Sequence, residues 1–445
     1  MQYLYERIFY SQKVMKLFSS EAILGAMLRF ESALATAQAK HGLIPPGAAA
    51  VIKKHCKVEK INTEQLIEDA GLSGNLNIPL IKQLTSSVNR ENEEAAKYVH
   101  FGATSQDVID TAMMMQLRDA AKIIEADLKQ LIGQLRSLTK EHRNTLMPGR
   151  SFMQQARPIS FGFKTAGWLD ALLRSRQAMQ TLSENAYVLQ LGGAVGTLSS
   201  MGTKGLQVIE TMGEELKLNI PARSWHSQRD RFALIASTMG ILTGNVGKIA
   251  KDISLMAQTE IGELKEPYKK GKGGSSAMPQ KQNPVGCISI LSNAARVPAM
   301  VSTIISCMVQ DHERATGLWH AEWQPLVDIT QLTAGALEKA VEITAGLKIN
   351  KRQMLRNLEI TKGLIYAENI SLALAPAIGK AEAHELLEQL SREVQSKNIH
   401  LKELCMSHPI ISKHLKRNQI EKCFDPAQSI GISDEFIKRV LRQRL

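Results

Sequence analysis

One stretch decides most of what this chain can become: DVIDTAMMMQLRDAAKIIEADLKQLIGQLRSLTKEHRN, residues 107–144. Met113, Leu117, Ala120, Ile124, Leu128, Leu131, Leu135 and Leu138 recur at spacings of three and four, which places them on one face of an α-helix. At about 1.5 Å per residue such a helix is more than about 50 Å long. A rod of that length with one apolar stripe needs neighbours of similar length to cover it. The chain supplies them, with helical stretches at roughly 158–190, 229–267, 284–309 and 324–348. The expected fold class is all-α, with about five long helices forming an elongated central bundle. Aromatic residues at 5% agree with this, because strands favour aromatic and β-branched side chains.

On either side of this centre the pattern is more broken. Residues 1–105 read as shorter helices interrupted by GLIPPG (42–47) and GLSGNLNIP (71–79), and 351–445 as short helices divided by MSHPI (406–410) and FDPAQSIGI (424–432). Three domains are expected: an N-terminal helical domain over 1–105, the long-helix domain over 106–350 and a C-terminal helical domain over 351–445. The stripes carry more apolar surface than one bundle core needs, Val246, Ile249, Ile253 and Met256 among it. A homo-oligomer of closed symmetry, joined through the bundle, follows as an expectation.

The formal charge is +12, but Lys and Arg are interleaved with Asp and Glu along the helices. That spread argues against a nucleic-acid partner, whose recognition needs basic patches or stripes. It suits a small anionic substrate drawn in by a positive field. The five cysteines (Cys56, Cys287, Cys307, Cys405 and Cys423) have neither CxxC spacing nor a compact His/Cys cluster, so no disulfide framework and no metal site are expected. MQYLYERIFYSQK lacks the layout of a secretory signal, and no run of about 18 apolar residues occurs. No membrane span is expected, and the expected location is cytoplasmic.

Three segments are too polar for their apolar surroundings. HFGATSQDVIDT (100–111) sets Thr104, Ser105 and Asp107 just before the long helix, where one such residue would serve as a cap. Three of them, with free amides at the positive end of a helix, make a carboxylate site. GRSFMQQARP (149–158) brings Arg150, Gln154 and Arg157 between a Pro-Gly break and a helix. DHERATGLWHAEWQPL (311–326) gathers His312, Arg314, His320 and Glu322.

A fourth segment, GKGGSSAMPQKQNPVG (271–286), suits no helix at all. Its glycines lose much conformational freedom when ordered, and its prolines remove amide donors. It has no metal-ligating side chain, no GxxxxGK[ST] order for phosphates and no GxSxG elbow. What it does hold is Ser275 near Lys281 and backbone amides. Such surroundings lower the pKa of a hydroxyl and let it exchange a proton with carbon while cation and amides hold the oxyanion.

GSSAMPQKQNP is similar to the signature loop GSSxMPxKxNP of the fumarase/aspartase superfamily, and the likeness runs along the whole chain. It is carried as well by FSSEAILGAMLRFESALATAQAKHGLIP, YVHFGATSQDVIDTA, LGGAVGTLSSMG, WHSQRDR, HERATGLWHAEWQPL and GLIYAENISLALAPAIGKAEAHELL. Within the superfamily these stretches most resemble the bacterial branch that lactonizes carboxylated muconate in protocatechuate breakdown. The resemblance implies an all-helical, three-domain subunit, a homotetramer with each active site built from three subunits, a small polycarboxylate substrate and no cofactor. It implies that the loop closes over substrate, with Ser275 in proton transfer and Lys281 and Asn283 gripping a carboxylate. Thr104 and Ser105 carry over to substrate binding, and His100, Arg150, Gln154, Arg314 and Ser276 complete the candidate set.

Two departures narrow the activity. Phe152 stands where adenylosuccinate lyases carry a catalytic histidine in a THGQ-type motif, and NIPLIKQLT (77–85) replaces their HDV-like stretch. Both differences argue against an adenylosuccinate-type elimination; a superfamily lyase releasing fumarate is the alternative to lactonization. The loop reads MPQKQNP where MPHKRNP is more usual, so Gln280 and Gln282 take charge away from a loop that grips a polycarboxylate.

Overall fold

The computed structural model describes residues 4–443. It is mostly helical. The long stripe forms α2, Ser105–Glu141, preceded by α1, Ser20–Lys40; further on come α3 (Phe161–Asn185), α4 (Asp230–Met256), α5 (Val285–Ser306) and α6 (Trp323–Ala345). Along α2 the sides of Leu117, Ala120, Ile124, Leu128, Leu131 and Leu135 are buried, whereas Met113 and Leu138 are half-buried. Its 37 residues correspond to about 55 Å. Between the residue-20 and residue-105 helices lie the shorter Pro46–His55, Thr63–Ser73 and Asn77–Asn89 helices, broken at the two Gly/Pro stretches.

Two short sheets depart from a purely helical reading. β1 (Leu146–Ser151) and β2 (Gln154–Ser160) form an antiparallel hairpin, so α3 starts a few residues later than its periodicity suggests. Phe152 and Met153 make the turn at φ 49° and 67°, the left-handed pair that closes a two-residue hairpin. The register shifts between Pro148 and Arg150, and the bulge takes glycine at 149 because a Cβ there would lie 2.8 Å from the Arg157 carbonyl oxygen. β3 (Leu264–Lys265) pairs with β4 (Lys348–Ile349). The helical pattern read through 229–267 therefore stops at Met256, where the chain turns back and Glu263 N–H bonds the Met256 carbonyl.

The chain divides into two compact units. One comprises the chain up to Leu128, Ser175–Gly247 and Ser289–Lys339; the other comprises Lys129–Arg174, Lys248–Ile288 and Ala340 onward. The divisions fall inside all five helices α2 to α6. In the second unit, the helices Ala367–Ile378, Lys380–Lys397 and Leu401–Ser407 enclose a core of Ile370, Leu374, Leu386, Leu387, Leu390 and Leu401.

No membrane span follows from the sequence, yet α4 and α5 are long and apolar enough to cross one. The apolar window of α4 is mostly buried, as in a core helix. That of α5 is mostly exposed, but the helix is tied into the first unit by polar side chains: Asn293 donates to the carbonyls of Phe9 and Leu332, and Ser289 to that of Ile8.

Candidate active site

The first unit brings two of the polar segments together. Asp107, at the third position of α2, is fully buried, and its carboxylate accepts the Thr104, Gly192 and Gly193 amides at 2.9, 2.9 and 3.0 Å. His226 Nε2 lies 2.7 Å from the same carboxylate. One acidic side chain thus fixes the 100–104 loop, the glycine run of LGGAVG and the WHS segment. The glycines are needed by contact: a Cβ on Gly192 would sit 2.6 Å from Ser224 Cβ and 2.9 Å from His226 Cε1. Asp107 is a cap in the sense that it returns to the Thr104 amide, and it leaves the Thr104 hydroxyl for another partner. That partner is Arg314, which donates to Thr104 Oγ1 at 2.8 Å and to Gln106 Oε1 at 3.3 Å. Thr104, Ser105 and Arg314 are all half-buried.

Beneath this layer is an ion cluster that sequence reasoning did not assemble. Arg229 donates to Asp110 at 2.7 and 3.0 Å and to Glu322 at 2.6 to 3.1 Å, and Trp319 Nε1 donates to Asp110 at 2.9 Å. All three charged side chains are sealed from water. Burial pushes the Glu322 carboxyl up to about 7 even though Arg229 pulls it down, and Asp110, sharing that guanidinium, adds to the rise. A signal for the cluster exists in the sequence. Asp107 and Asp110 lie three apart at the start of an apolar helix, where buried carboxylates require partners.

His100 adopts φ 58°, and its Nδ1 lies 2.7 Å from Glu31 on α1. Burial pushes the imidazole down, but the Glu31 carboxylate and, more weakly, Asp107 outweigh it and hold the pKa above the usual histidine value. His312 is exposed at φ 47°, and His320 packs its ring 4.9 Å from Trp319 and 4.7 Å from Trp323.

The second unit holds the other two segments. Arg150 makes a two-pronged ion pair with Glu263 at 2.7 and 3.0 Å, and Glu263, fully buried, also accepts from Asn357 at 2.7 Å. That guanidinium is engaged within its own unit. Gln154 is exposed beside the hairpin turn, and Arg157 bonds Glu368 and Asn369.

The 271–286 loop is irregular and largely exposed, closed at its base by Asn283 N–H to the Gly273 carbonyl at 2.8 Å. Gly273, at φ 72°, packs so closely on Asn283 that a Cβ would meet its carbonyl. The base is tied down by Glu266, which accepts the Gly286 and Cys287 amides at the start of α5 and pairs with Lys272 at 3.4 Å. Ser275 Oγ accepts the amides of Met278 at 3.1 Å and Ala277 at 3.4 Å. Ser276 and Lys281 are exposed and Asn283 half-buried, with their side chains carrying no hydrogen bond to the described residues.

The chain belongs to the fumarase/aspartase superfamily of lyases, as matches along most of its length show. Residues 9–299 match the family described as lyase, and 363–440 match the C-terminal family of adenylosuccinate lyase. Its relatives narrow the likeness. The chain is 43% identical over 445 residues to the 3-carboxy-cis,cis-muconate cycloisomerase of Acinetobacter baylyi, covering 100% of this chain and 99% of that one. It is 45% identical over 415 residues to the enzyme of the same name from Bradyrhizobium diazoefficiens, covering 93% and 92%. The crystal structure of beta-carboxy-cis,cis-muconate cycloisomerase from Acinetobacter calcoaceticus superposes with TM-score 0.93 at 41% identity, covering 99% and 100%.

Proposed function

We propose that this enzyme is a 3-carboxy-cis,cis-muconate cycloisomerase. The observation that carries the reading is identity above 40% to enzymes of that name over more than nine-tenths of the chain, with the GSSAMPQKQNP loop retained. In the lactonizing direction a carboxylate of the substrate adds across its own conjugated double bond. A C–O bond forms, the double bond's electron pair moves to the carbon alpha to another carboxylate, and that carbon takes a proton. Reaction within one molecule leaves orientation and charge stabilisation as the enzyme's tasks.

Ser275 delivers the proton and, in reverse, removes it. The two amides aimed at its Oγ are the donors that would steady the alkoxide. Lys281 and Asn283 grip a substrate carboxylate once the loop closes, with Ser276 beside them. Thr104, Ser105, His100 and Arg314 receive a second carboxylate, where the Arg314 contact supplies positive charge at the start of α2. Arg150 and Gln154 belong to the same reading as binding residues, and the Arg150–Glu263 pair suggests a supporting role for the first.

The three domains over 1–105, 106–350 and 351–445, a central five-helix bundle and a cytoplasmic homotetramer with sites shared among three subunits complete the reading. The exposed apolar residues Leu234 and Ile241 on α4 and Ile288 and Ile305 on α5 support association through these helices. The test is spectrophotometric. Loss of carboxymuconate absorbance with lactone as product supports the reading, whereas fumarate formation from a succinylated acid, with carboxymuconate untouched, defeats it.

A further inference from the structure

We propose that Glu31 is a positioning residue: through its hydrogen bond to Nδ1 it holds His100 as an imidazolium whose Nε2–H is offered to a substrate carboxylate. The proposal rests on the cycloisomerase reading of the site and adds the origin of one of its positive charges. Glu31 is almost fully buried on α1, and its Oε1 meets His100 Nδ1 at 2.7 Å. Its Oε2 has no hydrogen-bond partner among the described residues. A buried carboxylate with a single partner is costly unless that partner carries the opposite charge. The other nitrogen, Nε2, has no hydrogen-bond partner among the described residues, and the side chain retains 17% of its exposure. One nitrogen is therefore fixed and the other open.

The backbone supports the same arrangement. Gln38 lies two turns beyond Glu31 on the same face of α1 and donates to the Phe101 carbonyl at 2.7 Å. Both side chains hold the strained 100–101 turn, four residues before Thr104, against one helix. The charged groups acting on the ring are Glu31 and, more distantly, Asp107 of α2, both of which favour the cation. Cys56, whose thiol is pushed up first by burial and then by Glu31, stays neutral beside them.

The test replaces Glu31 by Gln, which keeps an oxygen for Nδ1–H and removes the charge. With full-length protein labelled at histidine Cε1, the His100 signal, assigned by its loss in His100→Gln, is titrated by NMR. In wild type it titrates above the usual value of about 6.5, and in Glu31→Gln below it. KM for carboxymuconate in the variant rises by about tenfold at pH 8, the loss of one hydrogen bond from a charged donor, and by a smaller factor at pH 6, while kcat changes less than KM. Binding of sulfate, whose charge is constant over this range, follows KM. An unshifted His100 titration, or equal KM ratios at both pH values, overturns the proposal. If neither protein turns over carboxymuconate, the cycloisomerase reading falls, and the titration together with sulfate binding still decides the role of Glu31.

Discussion

Replacing Arg229 by Met is the sharpest perturbation of the scaffold beneath the site. The guanidinium is fully buried and is shared by two carboxylates, Asp110 and Glu322, whose side chains are 3% and 1% exposed. Met fills similar volume and rests on Trp225 and Phe232, against which the guanidinium now lies at 5.2 and 4.8 Å. It leaves two carboxylates without a cation, however. Removing one partner of such a buried group costs about 3–5 kcal/mol. The loss depends on pH in a defined direction. The folded-state pKa of Glu322, about 7, lies above its ordinary 4.5, so the folded protein binds the extra proton. The contribution of Glu322 to wild-type stability therefore falls as pH rises from about 4.5 to 7, and levels off above that. Without Arg229, the group that lowers this pKa, the window extends to higher pH and the deficit is larger at pH 8.5 than at pH 5. Urea unfolding followed by circular dichroism at the two pH values measures both. A loss below about 1 kcal/mol, or one equal at both pH values, would refute the assignment of a buried, charge-compensated cluster.

Two further outcomes concern the site itself. Thr104→Val removes the hydroxyl that Arg314 holds at 2.8 Å, and steady-state kinetics should give a KM for carboxymuconate raised by roughly tenfold, about 1.4 kcal/mol of binding; an unchanged KM would exclude Thr104 from the binding surface. Gly273→Ala forces a side chain into a left-handed position, a strain of about 1–2 kcal/mol, and against the Asn283 carbonyl, so the loop base must shift and kcat/KM should fall at least roughly tenfold while the melting temperature drops by only a few degrees. Full activity in that variant would show that the loop base does not have to hold its present shape.

The long helices were legible because burial of one stripe repeats over many turns, and the signal from Leu117 to Leu135 accumulates. The hairpin at 146–160 was not: Phe152 and Met153 turn through left-handed φ without a glycine or asparagine, so no turn residue announces it. At 257–267 the apolar pattern continues past the helix, and the reversal at Met256 depends on a tertiary hydrogen bond from Glu263. For the site, polar residues standing in apolar surroundings pointed to the 100–111 and 311–326 segments, and Arg314 on Thr104 is the contact that joins them. Their partners Glu31, His226 and Arg229 lie 69 to 119 positions away in sequence, too far for any local spacing to pair them. Arg150 illustrates the converse: its position beside a Pro-Gly break suggests a site, while the partner that occupies it, Glu263, is 113 positions further on.

The most direct test of the account is kcat for carboxymuconate lactonization in Ser275→Ala at saturating substrate. Ser275 lies on an exposed loop outside the cores, so the fold and the binding residues at Thr104 and Arg314 should persist. Loss of a proton-transfer group predicts a fall in kcat of about 10²–10⁴-fold with little change in substrate affinity. A variant that turns over at close to the wild-type rate would contradict the assignment of proton transfer to that hydroxyl.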